Sequence, residues 1–597
     1  MLVIGEGTGA TTAAIQAARS GAKTILVTPL PWLGGMLTSA GVSAIDGNHQ
    51  LPSGLWGEFR DSLRKYYGSA EALSTGWVSY TLFEPHVGAY YWKQMAEKEP
   101  NLTILYSATY TSIQKEKKWL VEVAQNGQKQ TISAYILIDG TDLGDVAAKA
   151  GVTYDVGMDA RAETGETMAP EKANDIIQDL TYAVILKDYG TQADKTIAKP
   201  MGYNAAQFHC ACQTHCEDTL AKPHPCETML TYAKLPNNKY MINWPIKGND
   251  YYVNIIELDV AARAAALEKA KNKTLQFVYY LQTELGFNYL GIADDEFPTS
   301  DGLALMPYHR EGRRTHGLVQ LNVNHILQPY DYNLYRTGIA VGDYPIDHHH
   351  YERPDAPTID FPKVPSFSIP LGALIPKDID HLLVADKAIS VTNIVNGASR
   401  LQPVVIQIGQ VAGLVAAMAV QTQTSPKALN VRAIQENLLA IDGYLLPFID
   451  VSPTHPHFET IQKIGATGWL QGRGVPYKWA NQTWFDPDST LSLETFLHGA
   501  KQYGIDASHD IKTSTPLTIA DAIDFLFKNT QLENDFSSSD LQTLTHQVET
   551  AWTSVWQLNN FEPQRPITRI ELAVLLDKLL NPWKKEINSA GNWLTRK

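Results

Sequence analysis

The sequence predicts an α/β fold built on a parallel sheet, with a mainly helical region at its C-terminal end. Three observations carry this. Residues 2–28 read as an apolar strand, a glycine-rich turn, an alanine-rich helix and a second strand. Two later segments, 136–145 and 383–419, each begin with an apolar strand and continue into small-residue turns or helices. Past residue 430 the pattern changes to shorter units with helix-capping signals. At 597 residues the chain is too long for one core, and roughly three to four domains follow from size.

The first unit is a βαβ motif. Leu2-Val3-Ile4 is the strand, Gly5-Glu6-Gly7-Thr8-Gly9-Ala10 the turn, Thr11 to Ser20 the helix and Lys23 to Val27 the second strand. The turn matches G-x-G-x-x-[GA], with Gly5, Gly7 and Ala10 at its three small positions. The first glycine permits the tight turn, the second lets backbone approach a pyrophosphate, and the small third residue lets helix and strand pack closely. The helix start then offers free N–H groups and a positive dipole end to phosphate. A Rossmann-type dinucleotide fold is the expectation; a purely structural glycine turn is the alternative. The second strand ends in Thr28 rather than the Asp or Glu that usually binds ribose. This counts against a nicotinamide cofactor more than against an extended flavin dinucleotide. Just beyond it, Gly34-Gly35-Met36 lets backbone approach the flavin end of such a cofactor, or is an ordinary loop.

Composition narrows the classes. A hydrophobic content of 44% and charged content of 19% are those of an ordinary globular protein. The net charge of −14 argues against a nucleic-acid-binding face. No apolar run reaches about 18 residues, so no membrane span is expected, and Val404 to Val420 reads as a buried helix. The strand before Gly5 is short, which suggests a missing upstream piece; if the N-terminus is truncated, a periplasmic or cell-surface location is expected, and otherwise a cytoplasmic one. The four cysteines, Cys210, Cys212, Cys216 and Cys226, are interleaved with His209, His215 and His224 in no standard zinc spacing. Two disulfides, a structural metal and unpaired thiols all remain open, in that order.

With these residues in view, the chain resembles the FAD-dependent oxidoreductase family whose bacterial members are sometimes labelled xanthan-lyase-like. Ile136 to Asp145 is similar to its second flavin motif, with Gly140 and Asp142 replacing the usual Ala and Glu. Tyr308 to Arg314 resembles its R-E-x-R-R stretch, and Gly342 to His349 its G-D-Y-P-x-D-x-H stretch. Leu383 to Asp386, Arg400 to Pro403 and Gly409 to Gly413 resemble its closing flavin motif. The resemblance covers about residues 1–425. It implies FAD on a glutathione-reductase-like domain split between 1–155 and 366–425, an α+β substrate domain at 156–365, and a separate helical domain at 426–597. The implied cofactor contacts are Gly5, Gly7, Thr8, Gly9, Ala10, Thr28, Gly34, Gly35, Met36, Gly140, Thr141, Asp142, Gly144, Asp145, Arg400, Gln402, Pro403, Gly409 and Gln410. A small polar organic substrate would exchange hydride with the flavin, and the electron partner is unidentified.

A flavin does the redox chemistry itself, so the protein supplies positioning groups and a proton acceptor. Arg310 and Arg313 are candidates to clamp a substrate or a reduced flavin; pairing with Glu311 is the plainer reading. In Asp347-His348-His349-His350 the family position favours His349 as a general base, with Tyr344 and Asp347 shaping its surroundings. Side chains that alternate along extended backbone rarely converge on one metal, so no metal is assigned. The aromatic- and amide-rich stretch Lys239 to Tyr252 suits a sugar-binding surface or a strand-rich core.

The last third resembles surface-layer-homology repeats around Phe448 to Val451, Thr467 to Gly472 and Phe561 to Leu572, with a capping box from Thr568 to Glu571. Contact with a cell-wall polymer is one expectation, a helical packing domain the other. Two rival functions stand beside the oxidoreductase: a wall-associated protein that holds FAD without turnover, and the polysaccharide lyase that the family label suggests.

Overall fold

A computed structural model describes residues 1–212, 216, 224–505, 515–536, 538 and 540–594. His215, named above, lies outside the described residues. The chain divides into two compact units. The first comprises residues 1–323, 344–363 and 372–429, the second 324–343, 364–371 and 430–597.

The first unit is organised by a five-stranded parallel sheet in the order Leu382–Val384, Leu137–Asp139, Leu2–Ile4, Thr24–Val27, Leu102–Leu105. The strands Leu2–Ile4, Leu137–Asp139 and Leu382–Val384 are buried at every position, as expected when both faces of a parallel sheet are covered. The helix Thr8–Arg19 follows the first strand and packs on the long helix Gln402–Thr422. That second helix is long and apolar enough to cross a membrane by composition, but 89% of its apolar window is buried inside the protein. Glycine makes the contact close: a Cβ on Gly409 would lie 2.0 Å from Thr12 Oγ1 and 2.5 Å from the Gly9 carbonyl. An antiparallel meander, Ala108–Lys115, Trp119–Gln125 and Gln128–Ala134, precedes the strand Leu137–Asp139.

Inserted in the same unit is a four-stranded antiparallel sheet, ordered Lys234–Leu235, Lys239–Ile242, Val184–Asp188, Leu290–Ile292. The 24-residue helix Val260–Thr283, capped by Asp259, contributes Phe277, Val278 and Leu281 to a core shared with Val184, Leu186, Ile242 and Trp244. The aromatic stretch is therefore core here. Asn249 serves the fold too, accepting from Trp244 N–H and donating to the Tyr182 and Ile242 carbonyls. Lys239 is buried between Glu84 and Glu296, at 2.8 and 2.9 Å, so a lysine ammonium fills the space between these acids and His86. The four cysteines form the disulfides Cys210–Cys216 and Cys212–Cys226.

In the second unit, Gly338–Gly342 pairs antiparallel with Phe367–Pro370. The sequence reading puts the first of these strands in the substrate domain and the second in the flavin domain; the structure gives both to the C-terminal unit. The cause is local bonding. The Gly338 carbonyl accepts from Gln435 at 2.9 Å, and Ser368 Oγ donates to the Leu445 carbonyl at 2.9 Å. Among the described residues six α-helices follow, from Val431–Leu439 to Arg569–Leu579. Three begin on hydroxyl caps, Ser492, Thr518 and Thr568, and the capping segments bridge one another: Thr490 to Thr568, Ser492 to Pro516, Thr518 to Pro566. The Thr568–Glu571 capping box forms as the sequence predicts.

Candidate functional site

The glycine turn is built by mutual exclusion of side chains. A Cβ on Gly5 would lie 2.1 Å from the Gly140 carbonyl carbon, and one on Gly140 would lie 2.4 Å from the Ala10 Cβ. Ala10 at the third small position is thus accommodated by a glycine at 140, and the two departures from the usual motifs fit each other. Gly34 and Gly35 have φ of +102° and +55° and lie across the helix start. There Thr8 Oγ1 donates to the Gly34 carbonyl at 2.8 Å, and Gly34 N–H donates to Thr11 Oγ1 at 2.9 Å. Met36 is buried beneath them. Thr141 caps the next turn, donating to Asp139 and accepting from Asp145 N–H at 2.8 Å. Thr28 is buried at the strand end, where its hydroxyl accepts only the Leu30 N–H at 3.4 Å.

The helix start carries a carboxyl oxygen. Gly9 N–H donates to Asp386 Oδ2 at 2.8 Å. A Cβ on Gly7 would meet the same oxygen at 2.4 Å, so the space above this turn is occupied by a carboxylate only because residue 7 has no side chain. Anion chemistry at that N–H is what a dinucleotide's diphosphate requires, so the residues fit such a group. Behind it, Lys387 Nζ bridges Asp386 and Asp142, and His309 Nδ1 lies 2.7 Å from Asp142. Desolvation raises Asp142, but Lys387 and His309 outweigh it and hold the carboxyl below its ordinary range. Burial, helped by Asp142, pushes Glu6 up to about 8, which removes a negative charge from the turn at neutral pH.

A second polar cluster lies in the same unit as a chain of charges. Arg310 contacts Asp250 at 3.1 Å; Asp250 Oδ2 lies 3.2 Å from His349 Nδ1; His349 Nε2 lies 3.0 Å from Asp347; Asp347 lies 3.0 Å from Arg400. Burial and Arg310 work against the imidazolium, but Asp347 and Asp250 prevail and raise the His349 pKa. The same contacts hold Asp347 and Asp250 below the usual carboxylate range despite desolvation. Asp347 keeps 40% of its side chain open although burial is the strongest single influence on it. Tyr344 stands in the same group, its phenol pushed well up by burial and then by Asp46 and Asp347.

The three histidines split by alternation, as extended backbone requires. His349 joins the charge chain, whereas His348 and His350 line a separate cavity of about 500 Å³ with Lys247, Tyr351 and Phe361. Burial lowers their pKa values to about 3 and 4, so both are neutral.

Several expected site residues do other work. Arg313 bonds Asp145 at 2.7 Å and the Ile256 carbonyl at 2.7 Å, and Asp145 also holds Arg263; neither joins Arg310. Arg314 pairs with Glu311 and Asp159 at 2.7 Å each, so the arginine run separates into three ion sites. Gly144, at φ +73°, caps the helix Asp145–Lys149. Gly409 is a helix-packing glycine. Gln410 braces the fold between Leu55 N–H and Gln16, at 3.0 and 3.1 Å, because its amide is enclosed by the two helices. Arg400 belongs to the charge chain, while Gln402 and Pro403 open the long helix. Asp46, Asp250 and Lys387 are the functional candidates that sequence reasoning missed, and Asp386 was named only as the end of the closing flavin motif. Only the polar pair closing an apolar strand at 386–387 gave a local signal.

A family model described as FAD dependent oxidoreductase matches residues 1–438. No curated protein matches the chain. Among solved structures, p-nitrophenol 4-monooxygenase PnpA from Pseudomonas putida is 11% identical, with 53% of this chain and 69% of that one covered and a TM-score of 0.26. The flavin-dependent monooxygenase PieE, in complex with FAD and substrate, is 10% identical, with coverage of 53% and 51% and a TM-score of 0.28. Thioredoxin reductase from T. acidophilum is 19% identical, with coverage of 26% and 37% and a TM-score of 0.15. The chain spans about half or less of the length of the last two.

Proposed function

The chain belongs to the FAD dependent oxidoreductase family, and from that premise we propose that it transfers hydride between FAD and a small polar organic substrate held at the Arg310–Asp250–His349–Asp347–Arg400 chain. FAD is its cofactor. When bound, FAD supplies the two-electron acceptor or donor. The N–H groups and small residues of Gly5 to Ala10, with the Gly34–Met36 loop, are suited to its diphosphate; Thr141, Asp142, Gln402 and Pro403 would complete the holding set.

The observation that carries the substrate site is His349 between two carboxylates. With both ring nitrogens engaged by carboxylates, which raise its pKa, this histidine is not the free base that its sequence position suggests. Its role is to orient Asp347 and, through Asp347, Arg400. Two guanidiniums, Arg310 and Arg400, and the His349 imidazole face the ionised Asp347 and Asp250 and the more weakly acidic Asp46 and Asp179, both pushed up by burial. Charges so nearly balanced suit a neutral polar substrate better than a strongly charged one.

The test is the visible spectrum of the purified protein, followed by anaerobic mixing with candidate donors. Flavin absorption that bleaches with an organic donor supports the reading. A protein that takes up no FAD, or holds FAD that no donor reduces, overturns it. The bridged capping segments of the second unit and their likeness to surface-layer-homology repeats favour wall attachment as a subsidiary role, which binding to purified cell-wall polymer would test.

A further inference from the structure

Asp46 follows the Gly34–Met36 loop and is tied to the start of the long helix. Its N–H donates to Gln402 Oε1 at 3.2 Å, while Gln402 Nε2 donates to the Ala44 carbonyl at 3.0 Å. Its own Oδ1 is buried and has no hydrogen-bond partner. A buried oxygen without a partner is destabilising, and a substrate donor would satisfy it. The groups that face it are Asp347, Arg400, His349, Arg310, Tyr344 and Tyr232.

We propose that Asp46 is a catalytic residue: its Oδ1 takes the hydroxyl proton of a neutral alcohol while the adjacent carbon–hydrogen bond breaks and its hydride passes to FAD. The proposal rests on the oxidoreductase reading above. The step balances. The alcohol carbon loses two electrons and becomes a carbonyl carbon, FAD gains the hydride, and the proton stays on the Asp46 carboxyl until it exchanges with solvent.

Elimination points to this residue. His349 has both nitrogens engaged, and Asp347 is committed to His349 and Arg400. The guanidiniums of Arg310 and Arg400 carry no lone pair to accept a proton. Tyr344 and Tyr232 stay neutral phenols, able to donate to a substrate oxygen but not to take its proton at neutral pH. Asp46 and Asp179 each combine a free oxygen with a suitable acidity; Asp179 is wholly buried, whereas Asp46 is partly open and is tied through Gln402 to the start of the helix that closes the flavin motif. Burial and then Asp347 push it up to about 7, against the opposing pull of Arg400, His349 and Arg310. A base poised near the working pH gives the most effective proton transfer.

The experiment compares FAD-loaded wild-type protein with Asp46→Asn and Asp46→Glu, using glycerol, inositol and glucose as neutral probe alcohols under anaerobic conditions. At least one probe should bleach the wild-type flavin, with a rate that rises with pH through about 7. Asp46→Asn should keep the flavin spectrum but bleach about 10²–10⁴-fold more slowly and without that pH limb; Asp46→Glu should recover part of the rate. Independently of turnover, infrared titration should show a protonated-carboxyl band that fades near neutral pH in the wild type and is diminished in Asp46→Asn. An unchanged band, or an Asn variant with wild-type rate and pH profile, overturns the role of Asp46. Bleaching by reduced nicotinamide or dithiol but by none of the alcohols overturns the alcohol assignment and leaves the oxidoreductase reading standing. Failure to hold FAD defeats that earlier reading instead.

Discussion

The N–H of Gly9, in the first turn of the helix Thr8–Arg19, donates to the carboxylate of Asp386, 377 residues away in sequence, at 2.8 Å. The anion site of the dinucleotide turn is therefore filled by the protein itself. An FAD diphosphate held at this turn would compete with the Asp386 carboxyl for the N–H, a contact at a helix start worth about 1–2 kcal/mol. Lys387 retains Asp142 as a partner when Asp386 is removed. Asp386→Ala should accordingly bind FAD about tenfold more tightly, read from quenching of flavin fluorescence on titrating the apoprotein. Weaker binding would mean that the carboxylate contacts the cofactor directly.

His349 gives a stability change whose sign follows from its raised pKa. Protonated imidazole is favoured in the folded state, so its stabilisation is fully present below the unfolded value of about 6.5 and is lost as pH rises through the higher folded value. His349→Gln removes the cation between Asp250 and Asp347 and should cost about 3–5 kcal/mol at pH 6, as expected for breaking a buried pair. Urea unfolding of both proteins at pH 6 and pH 9 checks this. The gap should narrow at the higher pH; a constant gap would show that His349 is neutral in the folded protein.

The flavin domain was readable in the sequence because its signals are local. A strand, a glycine turn and a helix lie together in Leu2 to Arg19, and the capping box at Thr568 spans four residues. The charge chain was not readable, because Asp250, Arg310, Asp347 and Arg400 come from four separate segments. Asp250 lies in a stretch that reads as a sugar surface or a strand-rich core, and no motif singles out Asp46; only burial gives either a chemical role. Arg313 was misplaced for the converse reason. Three arginines adjacent in sequence suggest one cluster, but Asp145, Asp159 and Asp250 draw them to three different partners. The strand Gly338–Gly342 went to the wrong domain because an apolar strand does not reveal its neighbour, which is set here by Gln435 and Ser368.

Gly409 separates helix packing from cofactor contact. Its missing side chain lets the helix Gln402–Thr422 lie against Gly9 and Thr12, and the obstruction that a Cβ would meet includes backbone, at 2.5 Å from the Gly9 carbonyl oxygen and 2.7 Å from its Cα. Rotamer changes cannot relieve that clash. Gly409→Ala should therefore lower stability by about 1–3 kcal/mol, as overpacking does, and should weaken FAD binding only through displacement of the helix start. Thermal unfolding of the apoprotein measures the first effect without the second. An unchanged melting temperature would return Gly409 to a direct cofactor role.

The disulfide Cys212–Cys226 joins positions 14 residues apart, and Cys212 sits in the core beside Phe208, Trp244 and Phe277. Closing a loop of that length stabilises a fold by about 3 kcal/mol through the unfolded chain. Cys210–Cys216, with a separation of six, closes a shorter loop and contributes less on the same argument. Paired sulfurs cannot serve as thiolate ligands, so a metal should add nothing while both bonds are intact. The expected result is a fall in the urea midpoint when the protein is unfolded in the presence of a strong thiol reductant, and no change when a chelator is used alone. The double variant Cys212→Ala/Cys226→Ala should reproduce most of the reductant effect, and Cys210→Ala/Cys216→Ala only a minor part. Insensitivity to reductant together with loss of stability in chelator would exchange the disulfides for a metal held by His209 and the cysteines.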